Sequence, residues 1–250
     1  MYRLLFFVFL FFSVNCRAIE NIESERLDNP DMGLNGSLAF TLDGETGSSE
    51  KIAFGTELKL IKSTQRDETI FLIEQDYAEV NDEKNTDKSF VHLRYLTKDT
   101  PNWGHEVFVQ AENDDFRALR SRYLLGLGLR YTLTPVNKLS ANILGFGLYY
   151  EKEEYELEGA DNDEKNVRGN FYWTYKHKIS DYAALRSTFY FQPKLNDVSD
   201  EKGLWVFSVT SSITEKLLLR ISVDVVHDTK TPESVVATET SYETEIVYAF

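Results

Sequence analysis

Hydrophobic and polar residues alternate one by one along most of this chain. Near its end, Tyr242, Thr244, Ile246, Tyr248 and Phe250 fall on one phase, and Glu243, Glu245, Val247 and Ala249 on the other. A period of two is the signature of a β-strand with unlike faces. The pattern recurs in twelve windows, near 33–42, 51–62, 69–80, 89–97, 103–112, 120–134, 138–151, 167–178, 182–193, 203–213, 216–228 and 240–250. In 167–178, Phe171, Trp173 and Tyr175 oppose Arg168, Asn170, Tyr172, Thr174 and Lys176. In 216–228, Leu217, Leu219, Ile221, Val223 and Val225 oppose Arg220, Ser222 and Asp224.

A soluble β-sandwich also alternates. It seldom sets Arg, Lys and Glu so regularly on one face against Phe, Trp and Tyr on the other. That division suits strands with one face in lipid and the other in a polar lumen. The fold class expected is all-β: a transmembrane antiparallel up-and-down barrel of about twelve strands.

The opening of the chain agrees. Arg3, the apolar run from Leu4 to Phe12 and Cys16-Arg17-Ala18 read as a signal peptide over 1–18, cut after Ala18. The run is too short for a spanning helix, which needs about 20 apolar residues. Residues 19–32 read as a periplasmic lead-in and 33–250 as the barrel. Cys16 is the one cysteine, so disulfides and cysteine–metal sites are excluded. Loss of Arg3 and Arg17 takes the formal charge from −14 to −16. Such a surface argues against nucleic acid, whose phosphates need a basic face.

Connection lengths offer a second expectation, because barrels of this kind pair short periplasmic turns with longer external loops. Thr134–Asn137, Ile179–Asp181 and Thr214-Glu215 are tight; 152–166, 194–202 and 229–239 read as long loops.

Two strands carry glycine on their inward phase: Gly126 and Gly128 in Leu125–Tyr131, and Gly145 and Gly147 in Leu144–Tyr150. Glycine weakens a strand unless something needs the room. These glycines are expected to line the lumen, accepting large side chains from across the barrel or permitting sharp curvature. Asp115-Phe116, Leu119, Arg122-Tyr123, Gly126-Leu127-Gly128, Leu139 and Gly145–Tyr149, with a tail of Pro232, Thr238-Glu239-Thr240 and Val247–Phe250, resemble the salt-induced outer-membrane protein family (YdiY-like, domain of unknown function 481). The likeness runs over about residues 30–250. Where that family often carries Gly-Asn-Thr after its first strand, this chain reads Asp43-Gly44-Glu45-Thr46. The resemblance implies a barrel in the outer membrane of a Gram-negative bacterium, loosely linked to salt or osmotic conditions. It implies no catalytic residue and no ligand.

Candidate chemistry is sparse. Tyr242, Ile246, Tyr248 and Phe250 fit a barrel-assembly signal, read by backbone pairing with alternate side chains giving specificity. The partners expected are therefore the assembly machinery and periplasmic chaperones during biogenesis, then outer-membrane lipid and lipopolysaccharide. The inward phase carries Glu57, Arg94, Arg122, Arg130, Arg168, Arg186, Arg220, Glu243 and Glu245. Barrels of about 8 strands are filled by side chains and those of 16–18 hold a channel. Twelve strands with this charge set favour a plugged polar lumen; the alternative is a narrow ion or small-solute pore.

Asp161, Asp163 and Glu164 form a weak cation candidate in an acidic loop, without the spacing of a calcium loop. No cofactor is expected. A second alternative, a lipid-modifying enzyme, would use His105 or His177 on the outward phase, although no serine is visibly paired with either. The leading expectation is a non-enzymatic envelope component.

Overall fold

The computed structural model describes residues 32–45, 51–81, 83–115, 118–133, 139–156, 163–231 and 236–250. The expected signal peptide, nearly all of the lead-in, the Pro135 turn and Asp161 lie outside them.

The strands are β1 (Gly33–Glu45), β2 (Lys51–Ser63), β3 (Asp67–Val80), β4 (Glu83–Lys98), β5 (Trp103–Asp114), β6 (Leu119–Leu133), β7 (Ser140–Tyr155), β8 (Asp163–Lys178), β9 (Ala183–Lys194), β10 (Asp197–Ser212), β11 (Leu217–Asp228) and β12 (Thr238–Ala249). Each pairs antiparallel with its sequence neighbour, and β1 pairs with β12 to close the barrel. Closure leaves no sheet edge along the paired registers, the condition for strands to cross lipid.

The faces divide as alternation requires. Along β5, Glu106, Phe108, Gln110, Glu112 and Asp114 are buried, while Val107 and Val109 are exposed. On β6 the row Leu125, Leu127 and Leu129 is exposed and Arg122 is buried. Inside a closed cylinder, burial means the lumen, so the apolar row faces lipid.

Aromatic rings mark both borders of the apolar band. Near the terminal end, Trp103 lies against Tyr131 with ring centroids 4.5 Å apart. Near the far end, Phe54 packs on Tyr77 at 5.3 Å. Tyr123 and Tyr131, on one strand, stand at opposite borders. Eight steps of about 3.4 Å, tilted by about 40°, give about 20 Å of height, close to the band of ~25 Å expected for an outer-membrane barrel.

Two expectations need correction. First, 194–202 is no long loop. β9 runs to Lys194, residues 195–196 form the turn, and β10 starts at Asp197. Likewise β7 and β8 extend into 152–166. Strands therefore project past the far aromatic border, in stretches such as Glu151–Tyr155 and Asp197–Lys202. Outside lipid neither face needs to be apolar, so the hydrophobic signal ends while backbone pairing continues. Connection length consequently does not distinguish the ends: 195–196 at the far end is shorter than 179–182 at the terminal end. Second, the lumen is not purely polar. Phe90 and Leu72 form one buried cluster. Phe108, Leu124 and Tyr149 form another, and Ile143, Tyr172, Tyr190, Leu204, Val206 and Val226 a third.

Candidate functional site in the barrel lumen

The inward charges sort into separate groups along the axis. The largest lies at the far end, where strands leave the membrane band. Arg122 on β6 meets Glu112 on β5 at 3.0 Å and Glu151 on β7 at 2.7 Å. Arg168 on β8 joins the same Glu151 at 2.8 Å and Asp200 on β10 at 2.8 Å. Lys202 on β10 reaches Glu153 at 2.6 Å and Glu151 at 3.2 Å. All these groups are buried. Buried charges are tolerable only when paired and hydrogen-bonded, and the guanidinium forks meet that condition through several carboxylates each.

Glu151, Glu153, Asp200 and Lys202 are the hubs of this group; reading loops over 152–166 and 194–202 hid the last three, and Glu151, the last residue of the expected strand 138–151, was not singled out. The signal was present: Tyr149, Glu151 and Glu153 keep one phase, as do Asp200, Lys202 and Leu204.

A second group fills the middle. Arg94 pairs with Glu106 at 3.3 Å and lies over the Phe108 ring at 5.4 Å. His92 stacks between Phe90 and Phe108 and meets Gln110 Oε1 at 3.1 Å. Tyr172 on β8 donates its hydroxyl to Glu106 Oε2 on β5 at 3.2 Å, bridging strands three apart in the barrel. Tyr149 donates to Gln192 Oε1 at 2.8 Å.

The four glycines explain how these rings fit. Gly126 stands opposite Phe108 and Gly145 opposite Tyr172. The two rings occupy the space in which a Cβ at either glycine would sit. The large side chains thus come from the adjacent strand and not from across the barrel as expected, because directly paired inward positions are the nearest neighbours on the lumen wall. Gly128 and Gly147 face each other. A Cβ on Gly147 would stand 2.5 Å from the Leu127 carbonyl oxygen, so that pair allows close backbone approach.

A third group lies beside the β1–β12 closure. Arg220 donates to Glu245 at 3.0 Å and stands 3.9 Å from Glu57, which also meets Lys59 at 3.4 Å. Glu243 lines a cavity of about 50 Å³ there with Glu57, Arg220 and Glu245. Arg130 donates to Thr132 Oγ1 at 3.1 Å. It borders a wider recess of about 460 Å³ at the terminal end, beside the 99–102 turn. Arg186 stands opposite Lys176 in the register of β8 and β9. Of the nine charges singled out from sequence, Arg122 and Arg168 thus share Glu151, and Arg220 stands with Glu57 and Glu245.

Of the closing strand, Tyr242, Ile246, Tyr248 and Phe250 are exposed on the outer face. Asp163 and Glu164 are exposed on β8, opposite Glu154 and Glu153. Among the described residues no group of His, Cys, Asp and Glu is arranged to hold a metal. His105 pairs with Asp99 in the terminal-end turn. His177 stacks on Tyr175 at 6.2 Å. Register puts Ser140 directly opposite His177, a neighbour that sequence did not reveal, but His177 Nδ1 makes no hydrogen bond.

The fold recurs among outer-membrane barrels. The NanC porin superposes with a TM-score of 0.54 at 13% identity, covering 86% of this chain and 98% of that one. The KdgM porin gives 0.49 at 10% identity, covering 87% and 99%. The translocator domain of autotransporter NalP from Neisseria meningitidis gives 0.49 at 12% identity, covering 91% of each chain. At such identity the likeness concerns the fold alone. Among curated proteins none matches the chain in sequence. Residues 38–250 match the family of proteins of unknown function DUF481, and the chain belongs to that family.

Proposed function

We propose that this protein is a non-enzymatic outer-membrane component whose lumen is closed by its own side chains, serving the envelope mechanically or under salt and osmotic stress. One observation carries the closure: side chains bridge strands that are not neighbours. Tyr172 reaches Glu106, and Lys202 reaches Glu151 and Glu153. A cavity at mid-lumen, between His92, Arg122 and Tyr190, is about 20 Å³. That is room for a single water, at roughly 10–15 Å³ per water centre. The stress role rests on the family resemblance and the location on the barrel fold with its aromatic borders. In this reading the terminal end faces the periplasm and the projecting strands face outward.

Planar-bilayer recording tests the closure. The expected trace is flat, and the double variant Tyr172→Ala with Lys202→Ala introduces current. Stable conductance steps in the unmodified protein, altered by charge reversal at Glu57 or Arg130, would overturn it. They would support the second reading, a narrow pore, which the cavity beside Arg220 and the recess beside Arg130 favour. A lipid-modifying activity at His177 would appear as product from labelled phospholipid, lost in His177→Asn and in Ser140→Ala.

A further inference from the structure

The outer wall of the barrel changes character in a fixed order as β6, β7 and β8 leave the membrane band. The last outward aromatic or apolar positions are Tyr123 on β6, Tyr150 on β7 and Val167 on β8, all exposed. The next outward positions on β7 and β8 are Lys152 and Lys165, and on β6 the register shift between Leu119 and Ser121 leaves Arg120 exposed. Glu154 and Asp163 stand one step further out. On β3, β4 and β10 the first outward charge past the border is acidic instead: Glu79, Asp87 and Glu201.

Register sets the two lysines together. Tyr123 stands opposite Lys152, and Lys152 opposite Lys165. Cross-strand neighbours have Cβ atoms about 5 Å apart, where like charges are unfavourable unless an anion is shared between them. Glu154 pairs with Lys152 from its outer side.

The rung also climbs outward. Along one rung, Tyr131 lies two residues short of Leu133 on β6, Trp173 five short of Lys178 on β8 and Trp205 seven short of Ser212 on β10. Each step of about 4.8 Å, tilted by about 40°, gains about 3 Å of height, so Lys152 and Lys165 stand about 3 and 6 Å outside Tyr123. The carboxylates lie beyond them. A phosphate tethered to acyl chains approaches from the membrane side and meets Lys152, Lys165 and Arg120 first. A free anion would arrive from solvent, past Glu154 and Asp163.

We infer that Arg120, Lys152 and Lys165 form a site on the outer wall for the phosphorylated sugar headgroup of the outer-leaflet glycolipid, lipopolysaccharide. Tyr123, Tyr150 and Val167 lie along its acyl chains. Lysine holds phosphate as a point charge on a flexible stem, so both ammonium groups can converge on one headgroup. The inference rests on the outward orientation of the projecting strands.

The test titrates the folded full chain, in uncharged detergent, with bisphosphorylated and with fully dephosphorylated lipid A, followed by native mass spectrometry. Saturable binding of the bisphosphorylated form is expected, with binding about ten-fold weaker without the phosphates, in line with the share of each cation in holding an anionic lipid. Lys152→Gln with Lys165→Gln should weaken it by about the same factor. Lys84→Gln, which removes an outward lysine held by Asp87 and Asp115, should leave it unchanged. Equal affinity for the dephosphorylated form, unchanged affinity in the double variant, or as large a loss in Lys84→Gln overturns the proposal. Displacement by an equal concentration of phosphatidylglycerol also overturns it, since any anionic lipid would then serve. Fold is checked throughout by gel migration without heating. Val198→Cys, 71% exposed at the far end, tests orientation on intact cells with a thiol reagent that does not cross the membrane. Labelling no greater than that of the unmodified chain overturns the orientation and this inference together. Labelling without phosphate discrimination overturns this inference alone.

Discussion

Gly36 and Phe250 exchange both backbone hydrogen bonds, each at 2.9 Å, and the Phe250 ring lies over Gly36. A Cβ at Gly36 would stand 2.5 Å from the Phe250 ring. The terminal end of the seam is thus clamped by an aromatic residue resting on a glycine, on the lipid face. Deleting Phe250 removes the clamp and the last residue of the expected assembly signal together. Folded, heat-modifiable protein in the membrane fraction should fall sharply. Gly36→Val keeps the signal but displaces the ring; it should lower stability while insertion continues. Equal yields for the deletion and the unmodified chain would refute the assembly role.

The Tyr172 ring leaves no room for a side chain at Gly145. Gly145→Leu should destabilise the barrel by about 1–3 kcal/mol, the usual range for overpacking. Tyr172→Ala should recover part of that loss when combined with it, because the two changes share one space. A double-mutant cycle by urea titration in detergent micelles or vesicles measures the coupling; additive losses would mean that the ring and the glycine are independent.

Leu127 is 63% exposed on the lipid face, with buried Gly128 next to it. Leu127→Arg should cost about 2–4 kcal/mol, as for arginine near the membrane midplane. Gly128→Arg should fail for a different reason, since its Cβ would lie 3.0 Å from the Phe146 carbonyl oxygen and 3.2 Å from Glu106. The two separate by environment: thinner bilayers should relieve the Leu127 variant and leave the Gly128 variant unchanged.

Arg122 is 2% exposed and serves three carboxylates, Glu112, Glu151 and Glu153. Arg122→Met leaves those acids without their shared cation. A loss of about 3–5 kcal/mol is expected, the range for breaking a buried pair from one side. Lys84→Ala, which removes a solvent-exposed pair with Asp115, should leave the unfolding midpoint unchanged. An Arg122 variant as stable as the unmodified chain would mean that water already fills the far end of the lumen.

Period-two alternation determined a great deal by itself. Where one strand face meets lipid and the other does not, each residue's phase names its face, as for Leu127 and Gly128 or Trp173 and Tyr172. The family could be read from the central glycine block, because few folds tolerate Gly-x-Gly within paired strands. Alternation was silent where both faces leave the membrane, so the projecting parts of β7, β8 and β10 read as loops, and Glu153, Asp200 and Lys202 were missed with them.

Three things were decided only by the tertiary structure. Partner choice was one: phase says that Arg122 and Glu151 point inward, but register and barrel radius bring them to 2.7 Å. The filling of the lumen was another, since Tyr172 meets Glu106 only because three strand steps of curvature carry β8 round to face β5. The third was the closure of β1 on β12. Pattern fixes the face of a residue because pleating is local. Which residues meet across the barrel depends on stagger and curvature summed over every strand, and no single stretch of chain carries that sum.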